Sequence, residues 1–268
     1  MVDAYGRHTL RAAFQHPCLM HGMLAVAAVH DRFLGLTPSN RRTLRELDHW
    51  SQCTILFGKM LSGVIKEEFK DACWATASTL GILTFSSTDV DMTKKLPWPL
   101  GPEDPSDLEW LRLGAGKMKL WQLLNPLRPQ SAFKPMAHVL ARLSEPLPER
   151  GIDGVPPDLA RLCGMDESST AENNAYHSIV HGLWQLQQAD DPQDAYGSAL
   201  RVSGHMSGNF GALLRQKDPL ALVLLCLWYD EARKTKWWIE MRAQYEHEAI
   251  RSYIQEFHGG HAAVKELL

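Results

Sequence analysis

The chain has 268 residues, 45% of them hydrophobic and 22% charged, a balance that fits a globular protein with a substantial core. Its net charge of −3 gives no overall attraction for nucleic acid or an acidic membrane surface. The five cysteines (Cys18, Cys53, Cys73, Cys163 and Cys226) are far apart with no CxxC pair, which argues for buried free thiols against disulfides or a metal knot.

In chain order, helix signals recur and strand signals do not. The start, "MVDAYGRHTL", has no apolar segment of the kind that opens a secretory signal, so an intracellular protein (nucleus or cytoplasm) is expected. "HPCLMHGMLAVAAVHDRFLG" places Pro17 in a first helical turn and Gly35 just past the end. The next helix, "TPSNRRTLRELDHWSQCTILFGKMLSGV", is expected to start from Thr37 as a cap with Pro38 behind it. "KEEFKDACWATASTLGILTF" is a third helix. "DPSDLEWLRLGAGKMKLWQLL" is a fourth, with Asp104 as its cap and Pro105 in its first turn.

Fainter helices are expected over 131–143, 172–189 and 194–215. Asp218 and Pro219 repeat the Asp-Pro device at the head of helix 218–234, and a stronger helix covers 237–257. The segments 88–105 and 143–172, rich in proline and glycine, are expected as surface excursions. No run alternates as a strand does, so the reading is all-α, one domain over residues 1–268 without repeats. The apolar run Leu220–Tyr229 is too short for a membrane span, which needs about 20 residues. A helix apolar on every face has to be surrounded by other helices.

Several motifs resemble chemistry without completing it. "HSIVH" aims His177 and His181 at one helix face, but Ser178 stands where a zinc hydrolase has its glutamate, and no third ligand is near, so no metal is expected. "DDPQD" (190–194) has the letters of a diphosphate–magnesium motif, yet Pro192 breaks the helix such chemistry needs; the stretch reads as one helix ending and the next being capped. "DVDMT" (89–93) falls in the proline-rich excursion. "GAGK" (114–117) lacks the first glycine and the Ser/Thr of a phosphate loop, and "GHMSG" (204–208) has its serine misplaced for a nucleophile elbow. Gly204, Gly208 and Gly211 are expected on one helix, where they permit close approach. No cofactor is called for.

Three blocks together carry a family likeness. "HPCLMHGMLAVAAVHDRF", the middle run "DHWSQCTILFGKML" with the Trp74–Phe85 helix and "DLEWLRLGAGKMKL", and "DPLALVLLCLWYDEARKTKWWIE" stand in order from about Tyr5 to Phe257. The chain thereby resembles the effector domain of fungal binuclear-zinc-cluster transcription factors, in the sterol uptake control protein branch. That resemblance implies a multi-helix orthogonal-type bundle around an apolar cavity, holding a sterol or another lipid-like molecule. The cavity-lining residues it implies are Met20, Met23, Leu24 and Ala27, then Phe57, Met60, Trp74 and Leu80, and finally Leu220, Val223, Leu224, Leu227 and Trp228 with Trp237 and Trp238 at the mouth. The six-cysteine cluster is missing, so no direct nucleic-acid binding by this chain is expected. Met241 and Arg242 replace the Gly-Trp step the family tends to show, a change expected to alter the cavity mouth or the loop beside it.

Three functional readings follow. The first is a ligand-sensing regulatory domain, with a homodimer or a regulatory protein as further partner. The second is an enzyme built on the same cavity, a cyclase or isomerase of an apolar natural product, with His21, His30, His49, Tyr229 and Asp230 as acid–base candidates. The third is a plain helical interaction module.

Overall fold

The computed structural model describes residues 2–37, 41–87, 96–104 and 106–260. It is all-α: the one β feature among the described residues is an isolated antiparallel bridge between Arg150 and Thr170. The chain divides into two compact units, residues 1–91 with 116–137, and residues 92–115 with 138–268.

The first unit contains α1 (Val2–Gln15), α2 (Pro17–Phe33), α3 (Leu44–Leu61), α4 (Lys70–Phe85) and the second half of α5 (Glu109–Leu124). Helix α2 begins at Pro17 and Gly35 follows it at φ 69°, the asymmetry read from the sequence. Helix α3 starts later than expected. Its cap is Thr43, whose hydroxyl accepts from the Glu46 amide at 3.1 Å, and Pro38 lies outside the described residues.

Helices α2 and α3 run antiparallel, tied near the turn by the buried Arg32–Glu46 pair, at 2.9 and 3.3 Å for its two contacts. At the other end Gly22 brings three helices together. A side chain there would meet Thr79 Oγ1 at 2.8 Å and Cys53 Sγ at 3.1 Å. Asp71, in the first turn of α4, takes bonds from Ser131 Oγ (2.9 Å), the Ala132 amide (2.7 Å) and Arg128 (2.8 Å), which fixes the chain after α5.

The second unit contains the first half of α5, then α6 (Ala137–Ser144), α7 (Pro157–Leu162), α8 (His177–Gln187), α9 (Pro192–His205), α10 (Asn209–Arg215), α11 (Pro219–Ala232) and α12 (Trp237–His258). Asp104 does not cap α5. It accepts from the Ser106 amide at 2.9 Å in a turn that precedes the helix, and Pro105 lies outside the described residues. The expected single helix over 194–215 is two: the chain breaks at residues 206–208, Gly208 takes φ 74°, and a side chain on Gly211 would meet the Met206 carbonyl at 2.8 Å. Asp191 caps α9 through the Gln193 and Asp194 amides, so "DDPQD" punctuates helices, as Pro192 required.

Segment 143–172 carries its own packing, with α7 and the buried side chains of Val155, Cys163 and Met165. Half of the other proline-rich segment, including "DVDMT", lies outside the described residues. All five cysteines are buried and free.

Helix α11 is the core of the second unit and packs on α8, α9, α10 and α12. Asp218 caps it through the Ala221 amide at 2.8 Å, and Leu220 through Cys226 are all buried. Each buried leucine or valine contributes roughly 1.5–3 kcal/mol. Its polar atoms are all engaged. Trp228 Nε1 donates to the Ala199 carbonyl at 3.0 Å, and the Tyr229 hydroxyl donates to Glu246 Oε2 at 2.6 Å. Arg242 binds the same Glu246 from one turn back along α12.

Breaking a buried pair from one side costs more than replacing it whole. Glu246→Leu, which takes the carboxylate from both Arg242 and Tyr229, is expected to cost about 3–5 kcal/mol in urea unfolding. The double replacement Arg242→Met with Glu246→Leu is expected to recover a large part of that loss.

Candidate functional site

The α11–α12 junction gathers the late group of sequence candidates. Val223 and Leu224 have no exposed surface, Leu220 and Trp238 keep 7% each, and Trp228 keeps 1%. Leu227 and Trp237 are half-buried. After Ala232 the chain turns through residues 233–236, and Lys236, in extended conformation, starts α12 with the two tryptophans in its first turn. Trp238 meets Tyr196 of α9 edge-on, ring centres 6.5 Å apart, and Lys236 Nζ lies 4.6 Å from the same ring. Trp110 stacks on Trp228 at 5.8 Å. One of these ring contacts thus includes α11 itself, through Trp228, and the other joins α12 to α9. Met241 and Arg242 are both buried within α12, so they belong to its packing.

This junction is poor in reactive groups. Burial, then the nearby Glu246 carboxylate, holds the Tyr229 phenol well above its ordinary value, so it is a fixed donor and not a base. Asp230 faces His247 Nε2 at 3.2 Å. The Cys226 thiol is pushed up to about 12, chiefly by burial, which removes its nucleophilicity.

The early group of candidates lies in the first unit. Phe57 and Trp74 are buried, while Met20, Met23, Met60 and Leu80 are half-buried. Leu24 is 42% exposed and Ala27 is also exposed, so that face of α2 looks to solvent. Among the acid–base candidates, the fold brings His21 and His49 together with their Nδ1 atoms 2.9 Å apart, one ring donating and the other accepting. His30 instead stacks on Phe33 at 6.3 Å.

Sequence reasoning missed Lys117. Its ammonium lies 5.1 Å from the Trp74 ring, Trp121 meets Trp74 edge-on at 5.4 Å, and burial lowers the amine to about 8. The signal was hidden because "GAGK" sits in mid-helix. A shallow depression of about 610 Å³ opens beside His8, Gln130, Ser131 and Lys134, and a narrow cleft of about 20 Å³ reaches Asp71 and Phe133. None of the sequence candidates lines either one.

His177 and His181 stand at the start of α8, both buried, ring centres 4.6 Å apart. His181 Nε2 lies 3.0 Å from the Gly151 carbonyl, while neither ring nitrogen of His177 has a hydrogen-bond partner among the described residues. Among the described residues no group of three His, Cys, Asp or Glu side chains is placed to hold a metal ion. No described helix is long and apolar enough to cross a membrane.

The chain matches no known protein family and no curated protein.

Burial first, and then His181, keep the His177 imidazole below its ordinary 6.5, against a smaller upward pull from the Gly151 carbonyl. As pH falls below 6.5 the unfolded chain takes up that proton and the folded chain resists it, so stability is full above 6.5 and declines toward the lower folded value. Replacing His177 with leucine is expected to reduce the loss of urea midpoint between neutral and mildly acidic pH relative to the parent. Other histidines, such as His16 and His205, keep their share of the slope.

Proposed function

We propose that the protein is a ligand-sensing regulatory domain that takes a sterol-like or other apolar molecule against α11. The observation that carries this reading is α11 itself: an apolar helix buried along most of its length, with Trp110 stacked on its Trp228 and the polar atoms of Trp228 and Tyr229 bonded within the protein. Apolar side chains of this kind bind a ligand by burial and shape. The half-buried Leu227 and Trp237, at the end of α11 and the start of α12, are the entry side. A ligand entering there replaces contacts between helices, so the conformational cost of opening lowers its apparent affinity.

In this reading ligand occupancy governs a transcription regulator in the nucleus or cytoplasm. A zinc-cluster module read by six cysteines cannot be made from the five scattered ones here, so DNA reading belongs to another polypeptide segment or partner. The alternative, a stand-alone enzyme acting on an apolar natural product, draws its support from the His21–His49 pair alone, since Tyr229 and Asp230 are held by Glu246 and His247.

The test is native mass spectrometry of protein from a eukaryotic host, followed by titration with a sterol and a long-chain fatty acid read by tryptophan fluorescence. A retained apolar molecule, or saturable binding of either probe, is expected. Leu224→Trp puts a bulkier ring where a ligand would have to displace packed side chains and is expected to abolish probe binding, while overpacking costs about 1–3 kcal/mol of stability. A protein that binds neither probe and retains no apolar molecule would overturn the reading.

A further inference from the structure

Helix α3 is amphipathic with an unexpected outer face. Its inner side holds Glu46, Cys53 and Phe57, all buried. On the opposite side Leu44 is 86% exposed and Ile55 50%, with Leu47 beside them at 41%, while Leu61, one turn beyond Phe57 at the helix end, keeps 38%. Placed at 3.6 residues per turn, Leu44, Ser51, Ile55 and Ser62 form the central line of that outer face. Leu47 and Gly58 flank it on one side, Asp48 and Lys59 on the other. The line therefore alternates large side chains with small ones, and its charged flank holds one acid and one base. Asp48 and Lys59 are exposed, and neither has an ion-pair partner among the described residues.

We infer that the outer face of α3 is a docking surface for a second copy of this chain, two α3 helices packing antiparallel about a twofold axis near position 53. In antiparallel helices each flank faces its own equivalent, so acid and base on the same flank can pair across the axis. One register pairs the central line and its immediate flanks, with the exposed Arg45 and Thr54 at the margins. Leu44 meets Ser62 of the second copy, Leu47 meets Gly58, and Ile55 fills the space over Ser51. Asp48 then faces Lys59, twice by symmetry. In a parallel pairing each flank would face the other one, leaving Asp48 and Lys59 opposite Leu47 and Gly58 with no charge to pair with. The charge arrangement thus favours a second copy in this orientation over an unspecified apolar partner.

The helix is 18 residues long, about 27 Å at 1.5 Å per residue. A contact of that length lies at the small end of specific interfaces, below about 1,200 Å² in total, so the dimer is concentration-dependent.

Sedimentation over a wide concentration range tests it on the full chain. A monomer–dimer equilibrium is expected, weakened by salt. Asp48→Lys is expected to weaken dimerisation by about tenfold, because two attractive pairs become repulsive. The double swap Asp48→Lys with Lys59→Asp restores it, and Ile55→Glu abolishes it. All these residues are exposed, so circular dichroism should show unchanged helix content. A chain that stays monomeric at every concentration overturns the inference, as does a dimer indifferent to Ile55→Glu. A dimer weakened by the single charge change but not restored by the double swap overturns the antiparallel register, and with it the proposal.

Discussion

The carboxylate of Glu246 is buried with two partners, the Arg242 guanidinium on its own helix and the Tyr229 hydroxyl on α11, and the second unit depends on that arrangement. A helix as uniformly apolar as α11 has no preferred face toward its neighbours, because every rotation buries a similar area. The Tyr229–Glu246 bond and the Trp228–Ala199 bond remove that freedom, since each is satisfied in one rotation and one register only. Hydrophobic burial supplies the stability, and the polar contacts select among the packings that burial alone leaves equivalent. Desolvating the pair offsets most of its electrostatic gain, so its contribution is to geometry more than to stability.

The first unit uses the same device at a different place. Arg32 and Glu46 are buried against each other where α2 hands over to α3, while Gly22 allows close approach at the far end. The hairpin is thus fixed at both ends by features that tolerate little change, and its outward face remains unconstrained by the core. On that face α3 presents leucines and an isoleucine to water, which an isolated monomer gains nothing by doing.

In the second unit burial raises the thiols of Cys163 and Cys226, and the Glu246 carboxylate holds the core phenol of Tyr229. The reactive-looking features elsewhere, the His21–His49 pair and the lowered amine of Lys117, are separate side-chain contacts of the first unit, and neither is joined to a nucleophile with a base.

Much of the fold was legible because its punctuation is local. Pro17, Asp191 with Pro192, and Asp218 with Pro219 each act within one helical turn, so the sequence by itself determined where α2, α9 and α11 begin, along with the all-α class and the buried thiols. It misplaced the start of α3 because Thr37 and Thr43 offer the same capping hydroxyl, although Glu46 three residues after Thr43 was a readable cue. It passed over α1, although half of that helix is apolar and its residues separate into a polar and an apolar side at the helical period. Only the tertiary structure decided that His21 meets His49, that Arg32 meets Glu46, that Lys117 lies over Trp74 and that Glu246 receives Tyr229. Spacing along a chain reports which residues share a helix face, whereas these partners sit on different helices and meet only once packing has set the distance and rotation between them.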